Sequence, residues 1–82
     1  MRFETQVNDE FAYIEYRYDN GALVLMHTFV PDFARGTGVS SALAKFALEY
    51  VKEHHIKLKV YCPFVAKYIK LHPEYELLLN KE

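Results

Sequence analysis

Between residues 22 and 62 the chain passes from a nearly unbroken apolar run (ALVLMHTFV, 22–30), through PDFARGTG (31–38), into a stretch of helical period. It leaves that stretch as an alternating run, IKLKVYC (56–62). This order decides much of the fold. Two strands joined by a covering helix share a sheet by running parallel, with a right-handed crossover. The helix rests on Val39, Ala42, Leu43, Phe46, Ala47, Tyr50 and Val51, the i, i+3, i+4, i+7 rhythm of one apolar face. Lys45, Glu49, Lys52 and Glu53 lie mostly off that face, spaced for pairing across solvent.

The flanks complete the expected sheet. Residues 10–18 (EFAYIEYRY) alternate aromatic and β-branched with polar positions, as a strand does. Asn20-Gly21 follows, and both residues tolerate the positive φ of a type I′ hairpin turn. The run 22–30 is then the partner strand, and its continuous apolarity predicts cover on both faces. Residues 3–7 offer a further short strand. Pro63 suits the first position of a second helix, marked by Phe64, Val65, Tyr68, Ile69 and His72 and ended by Pro73. The expected class is α/β (α+β): a small mixed sheet, an antiparallel hairpin followed by a right-handed β-α-β crossover and a C-terminal helix.

Size and composition bound the function. Eighty-two residues make one domain, 1–82. At 51% hydrophobic and 16% aromatic, with a formal net charge of −1, the chain is neither disordered nor a general nucleic-acid binder. One cysteine makes neither an internal disulfide nor a Cys-based zinc site. The histidines have no metal-ligand spacing, so no metal is expected. No apolar run approaches the ~20 residues of a membrane span. Met1-Arg2-Phe3-Glu4 does not open a signal peptide, and a cytoplasmic protein without a membrane partner is the expectation.

The loop Arg35-Gly36-Thr37-Gly38-Val39-Ser40-Ser41 carries the most chemistry. Backbone N–H groups at a strand-to-helix turn point outward without partners, and the helix dipole adds partial positive charge, so a phosphate is a natural guest. Arg35 adds a bidentate donor. Two glycines equally suit a tight turn with no ligand. The segment lacks the Gly-Lys-Ser/Thr ending of a Walker loop, and Ser41 stands where a Rossmann fingerprint has its third glycine. Charge placement favours an anionic ligand: residues 1–34 carry a net −4, residues 35–72 a net +5 and residues 73–82 a net −2. The positive block begins at the glycine loop.

Four motifs in order, His27-Thr28-Phe29-Val30-Pro31, Arg35-Gly36-Thr37-Gly38-Val39-Ser40-Ser41-Ala42-Leu43, Cys62-Pro63-Phe64-Val65 and His72-Pro73-Glu74-Tyr75, resemble the GNAT acetyltransferase superfamily. More narrowly, they resemble its minimal single-domain N-acetyltransferases, a truncated GNAT-like domain. The resemblance implies acetyl-CoA as ligand, with pyrophosphate on the N–H groups from Arg35 to Ser40 and pantetheine beside Phe29 and Val30. It implies a thioester reaching the gap between the parallel strands near Cys62, and transfer to an amine or protein acceptor. The family motif begins with Gln or Arg three residues before the first glycine; here Phe33 stands there. The acceptor-building helices of larger relatives have no counterpart, since Asn20-Gly21 joins strand directly to strand.

Cys62 is the candidate nucleophile or proton-transfer group, at a strand end and helix start where the dipole favours a thiolate; its alternative is a small buried hydrophobe. His27 is the candidate base. With a two-residue turn it pairs across the hairpin with Ile14, on the face of Tyr16, Leu23 and Leu25, where a core histidine is the ordinary reading. Tyr68 lines the cofactor groove or packs in the core. A CoA-binding module with little catalysis and an interaction domain using its tyrosine-rich hairpin are the rival readings. A homodimer would give so small a core extra burial.

Overall fold

A computed structural model describes residues 1–79. Four strands form one sheet in the order β1-β2-β3-β4: Arg2–Val7, Glu10–Asp19, Ala22–Phe29 and Lys57–Val60. The first two junctions are antiparallel, and β3 pairs with β4 in parallel across helix α1, Val39–His54. Helix α2, Pro63–Leu71, follows β4, and a 3-10 segment, Pro73–Leu78, follows α2. The mixed sheet, hairpin and C-terminal helix are as the sequence predicts; the 3-10 segment was not foreseen. No helix among the described residues is long and apolar enough to cross a membrane.

Local chemistry explains the joints. Asn20 (φ 52°) and Gly21 (φ 80°) both take positive φ, as a type I′ turn requires. His55 ends α1 in the left-handed conformation (φ 54°), its N–H returning to the carbonyls of Lys52 and Val51. Pro63 opens α2 where a missing N–H costs nothing.

Both helices pack on the same side of the sheet. The core joins Ala12, Ile14, Leu23, Leu25 and Leu58 to Leu43, Ala44, Ala47, Leu48 and Val51 of α1 and Val65, Tyr68 and Ile69 of α2. Residues alternating with these on the strands stand outside it, so β3 is helix-covered on one face, not both. Val24 is nonetheless only 1% exposed. It lies between its cross-strand neighbours Arg17 and Lys59, whose long stems can shelter an apolar side chain. The apolar run is thus flanked on its second face by charged cross-strand neighbours and carries no helix there.

Candidate functional site

The parallel ladder is short. Ala22, Leu23, Val24 and Leu25 pair with Lys57, Leu58, Lys59 and Val60, and the Tyr61 N–H donates to the Leu25 carbonyl at 2.9 Å. Beyond that bond β3 continues from Met26 to Phe29, whereas the other chain turns through Cys62 into α2. Among the described residues, no ladder joins the two above this point. Across the parting, Thr28 Oγ1 lies 3.0 Å from Cys62 Sγ. Cys62 is 2% exposed and stands immediately before α2, its carbonyl accepting from the Ala66 N–H at 3.0 Å. The predicted strand 56–62 thus ends at Val60, and Cys62 belongs to the turn that starts the helix.

A one-residue bulge decides which side chains reach this place. Glu15 pairs with His27 and Tyr16 with Leu25, leaving Met26 without a partner on β2. Side-chain alternation therefore slips by one above Leu25. Ile14 pairs with Thr28, and the expected pairing of His27 with Ile14 is wrong. Thr28 faces the core side, where it meets Cys62. His27 faces away from the helices, its Nε2 3.0 Å from Glu15 Oε1, with side chains 58% and 44% exposed. It is not a core histidine, and it does not share a face with Leu23 and Leu25. The geometry brings Cys62 to Thr28 and His27 to Glu15, on opposite faces.

The glycine loop sits where β3 gives way to α1. Residues 32–34 form a 3-10 turn, and the Thr37 hydroxyl and N–H both return to the Ala34 carbonyl. Gly36 (φ 80°) and Gly38 (φ 88°) hold positive φ, and nothing lies within 4 Å of where a Cβ would stand on either. Gly38 precedes α1 without any side-chain cap, and its carbonyl receives the Ala42 N–H at 3.0 Å. The N–H groups of Val39, Ser40 and Ser41 belong to the first turn, where a helix supplies no internal acceptor. An uncapped helix start beside open glycines suits a pyrophosphate. Arg35 Nε meets Asp32 Oδ1 at 3.3 Å in a highly exposed pair, a contact an anionic ligand would compete for. The +5 block thus includes a basic group at the loop itself.

Phe29 is exposed and Val30 buried at the end of β3. With Glu10, Pro31, Asp32 and Phe33 they line a cleft of about 420 Å³ leading to the loop. A larger groove, about 550 Å³, lies between β1 and α1, lined by Phe3, Val7, Leu43 and Phe46 among others. β1 is separated from β3 by β2, so that groove stands apart from Cys62. Tyr68 lies in the core, its ring stacked on His72 at 4.1 Å. Tyr75 donates its hydroxyl hydrogen to Glu49 Oε2 at 2.7 Å, and this bond, with burial, pushes its phenol up to about 12. Among the described residues no His, Cys, Asp and Glu side chains gather into a metal site. Thr28 is the member that sequence reading missed; Glu15 reads from the sequence, with Glu10 and Asp19, as an acid that could attract an amine, but its contact with His27 was not foreseen. Their partners lie 34 and 12 residues away, and only the bulge sets which face each meets.

Known proteins carry the same arrangement of sequence. The profile described as GCN5-related N-acetyl-transferase matches residues 2–78. Protein NATD1 of Gallus gallus is 41% identical over 63 residues, covering 76% of this chain and 57% of the relative. Protein NATD1 of Homo sapiens is 41% identical over 63 residues, covering 76% and 56%. That of Danio rerio is 36% identical over 67 residues, covering 78% and 61%. The chain thus spans less than two thirds of the length of these relatives. A parallel strand pair that parts before an uncapped, glycine-led helix, matched nearly end to end by this profile, assigns the chain to the GCN5-related N-acetyltransferase family.

Proposed function

We propose that residues 1–82 act as a single acetyl-CoA-binding domain that transfers an acetyl group to an amine on a small molecule or protein. The observation that carries the reading is the parting of β3 from β4 after Leu25 and Val60, beside a helix start with no cap of its own. Acetyl-CoA, when bound, supplies an activated acyl thioester. The N–H groups of Gly36 and of residues 38–40, with the Ser41 end of the turn and the Arg35 guanidinium, hold its pyrophosphate. Those of Arg35 and Thr37, expected to share in this, already donate to the Asp32 and Ala34 carbonyls. Phe29 and Val30 flank the pantetheine arm, and a backbone N–H of either steadies negative charge on a carbonyl oxygen. Tyr68 supports the groove from the core side. Cys62 serves as nucleophile or proton carrier with Thr28 against its sulfur, and His27 as proton acceptor.

Calorimetry with CoA and acetyl-CoA tests the binding half: absence of binding at millimolar ligand ends the proposal. Intact-protein mass spectrometry after incubation with acetyl-CoA tests the thiol. An acetyl adduct on Cys62 supports a covalent route, and undiminished transfer by Cys62→Ala removes the nucleophile role. A second reading, a CoA-binding module with little catalysis, is favoured by the connections. Turns at Asn8-Asp9 and Asn20-Gly21 join the first three strands and leave no segment to build an acceptor pocket. Binding without acetylation of any amine tried would select it. A cytoplasmic setting and a homodimer complete the proposal, the latter checked by light scattering.

A further inference from the structure

β1 is one edge of the sheet, and among the described residues nothing pairs with its outer side. The Tyr16 N–H donates to the Met1 carbonyl at 2.8 Å, so Met1 turns its polar backbone groups toward β2. Antiparallel strands alternate these groups from residue to residue, so Phe3, Thr5 and Val7 also bond inward. The N–H and C=O groups of Arg2, Glu4 and Gln6 therefore point out along the free edge. β1 lacks the devices that blunt such an edge: its six residues include no proline or lysine, and its register with β2 runs without a bulge. The opposite edge differs. β4 carries Lys57 and Lys59, and Leu79 bridges to Leu58 beside it. On the helix side of β1, Phe3, Val7, Leu43 and Phe46 line the groove of about 550 Å³. The Phe46 ring lies 5.8 Å from that of Phe3, yet Phe46 is 61% exposed, a large apolar side chain left at the rim. On the helix-free side Arg2 and Glu4 are adjacent, 3.8 Å apart and about half exposed.

We propose that the free edge of β1 joins the β1 of a second copy of this chain, antiparallel, about a two-fold axis at Phe3. The inference names the surface of the homodimer proposed above and rests on that part of the reading, not on acetyl transfer. A two-fold contact is self-complementary: whatever residue i meets on the partner, that residue meets i in return. The outward backbone groups fix the parity, since hydrogen-bonded pairs must come from residues 2, 4 and 6 of both copies. Charge then chooses the register. With Arg2 or Glu4 on the axis, like charges face one another, which is unfavourable. With Thr5 or Gln6 there, neither charge meets its opposite. With Phe3 on the axis, Arg2 lies opposite the partner's Glu4, and Glu4 opposite the partner's Arg2. Both pairs exchange backbone hydrogen bonds and both join opposite charges. The two grooves then meet on the helix side, where the Phe46 beside each Phe3 covers apolar surface that either copy alone exposes. Two four-stranded sheets become one, and β2 stands between the contact and β3, so the parting near Cys62 stays open.

The test uses the full chain, with light scattering for mass and amide hydrogen exchange for the edge. At millimolar concentration the Glu4 N–H should exchange slowly, and on dilution to monomer quickly. The Gln6 N–H, beyond the paired stretch, should exchange quickly at both. Protection of both amides, or of neither, overturns the proposal. Glu4→Arg should raise the dimer Kd about tenfold, by setting Arg2 against a second cation in each pair. Arg2→Glu combined with Glu4→Arg should restore the wild-type Kd, and the two single variants, mixed, should pair with one another. An unchanged Kd for Glu4→Arg, or a double variant that stays weak, overturns the register and the proposal with it. Both side chains are exposed, so these variants stay folded and report on association. A wild-type chain that remains monomeric defeats the homodimer reading as well. A dimer indifferent to all these substitutions keeps the homodimer and removes β1 from it, and neither result bears on CoA binding.

Discussion

The two halves of β3 obey different rules although they are consecutive in one strand. From Ala22 to Leu25 it is hydrogen-bonded on both edges, and Leu23, Val24 and Leu25 are at most 1% exposed. From Met26 to Phe29 it has lost its parallel partner, and His27 and Phe29 are exposed. The lower half spends its side chains on stability. The upper half leaves an edge and its helix-free face open to ligands, resting on the rigidity below. The difference comes from the unpaired Met26 and the early turn of Cys62 into α2, not from a change in strand propensity.

Substitution should separate the halves by size of effect. Leu25→Ala, in the lower half, is expected to cost about 2–5 kcal/mol in chemical denaturation, through lost burial and the cavity left behind. A smaller loss would mean that the lower half is not the rigid base. Next comes the loop above the upper half. Gly38→Val, at φ 88°, should cost about 1–2 kcal/mol by backbone strain without a clash, and should weaken CoA binding at least tenfold by calorimetry. At the parting itself, Thr28→Val removes a single hydrogen bond and should cost about 1 kcal/mol. Its effect on the rate of Cys62 modification by an alkylating reagent should exceed its effect on stability. His27→Ala should change stability by less than about 0.5 kcal/mol; a larger loss would show that the upper half also carries load.

A contact outside β3 gives a pH reference. Tyr75, raised to about 12 by its bond to Glu49, has a higher folded than unfolded pKa. Its contribution is complete below pH 10 and is lost as pH rises from about 10 through 12. In alkaline denaturation Tyr75→Phe should flatten that segment of the stability curve and leave neutral pH behaviour of the upper half of β3 unaltered.

Local features were legible in the sequence, and parity was not. Asn20-Gly21, Pro63, the helical period from Val39 and the glycine loop act over a few residues, and each predicts its element. Met26 is different. An apolar residue inside an apolar run looks like any other strand position, so a strict count of two assigned His27 to the face of Leu25. The adjacent polar residues His27 and Thr28 hint at the break, since one of them had to point inward, but they do not say which. Thr28 turned inward because the bulge put it there, and its partner Cys62 is distant in sequence. Cover on both faces was misread for a related reason, since what flanks Val24 on the second face, Arg17 and Lys59, is set by cross-strand pairing. Sequence could nominate Cys62 and the loop; it could not pair the side chains around them.

Met26 also gives the strand a grammar that mutational tolerance should betray. Inward positions run 23 and 25, and then 28 and 30, so intolerance to charge changes from odd to even numbering within three residues. Removing Met26 would restore a single rhythm and keep every pair with β2, leaving His27 on the open face and Thr28 toward the thiol, whereas one residue inserted between Met26 and His27 would push the bulge further. Descendants of this chain can therefore shorten the upper strand at Met26 with less disturbance than they can place a charge at Thr28 or Val30.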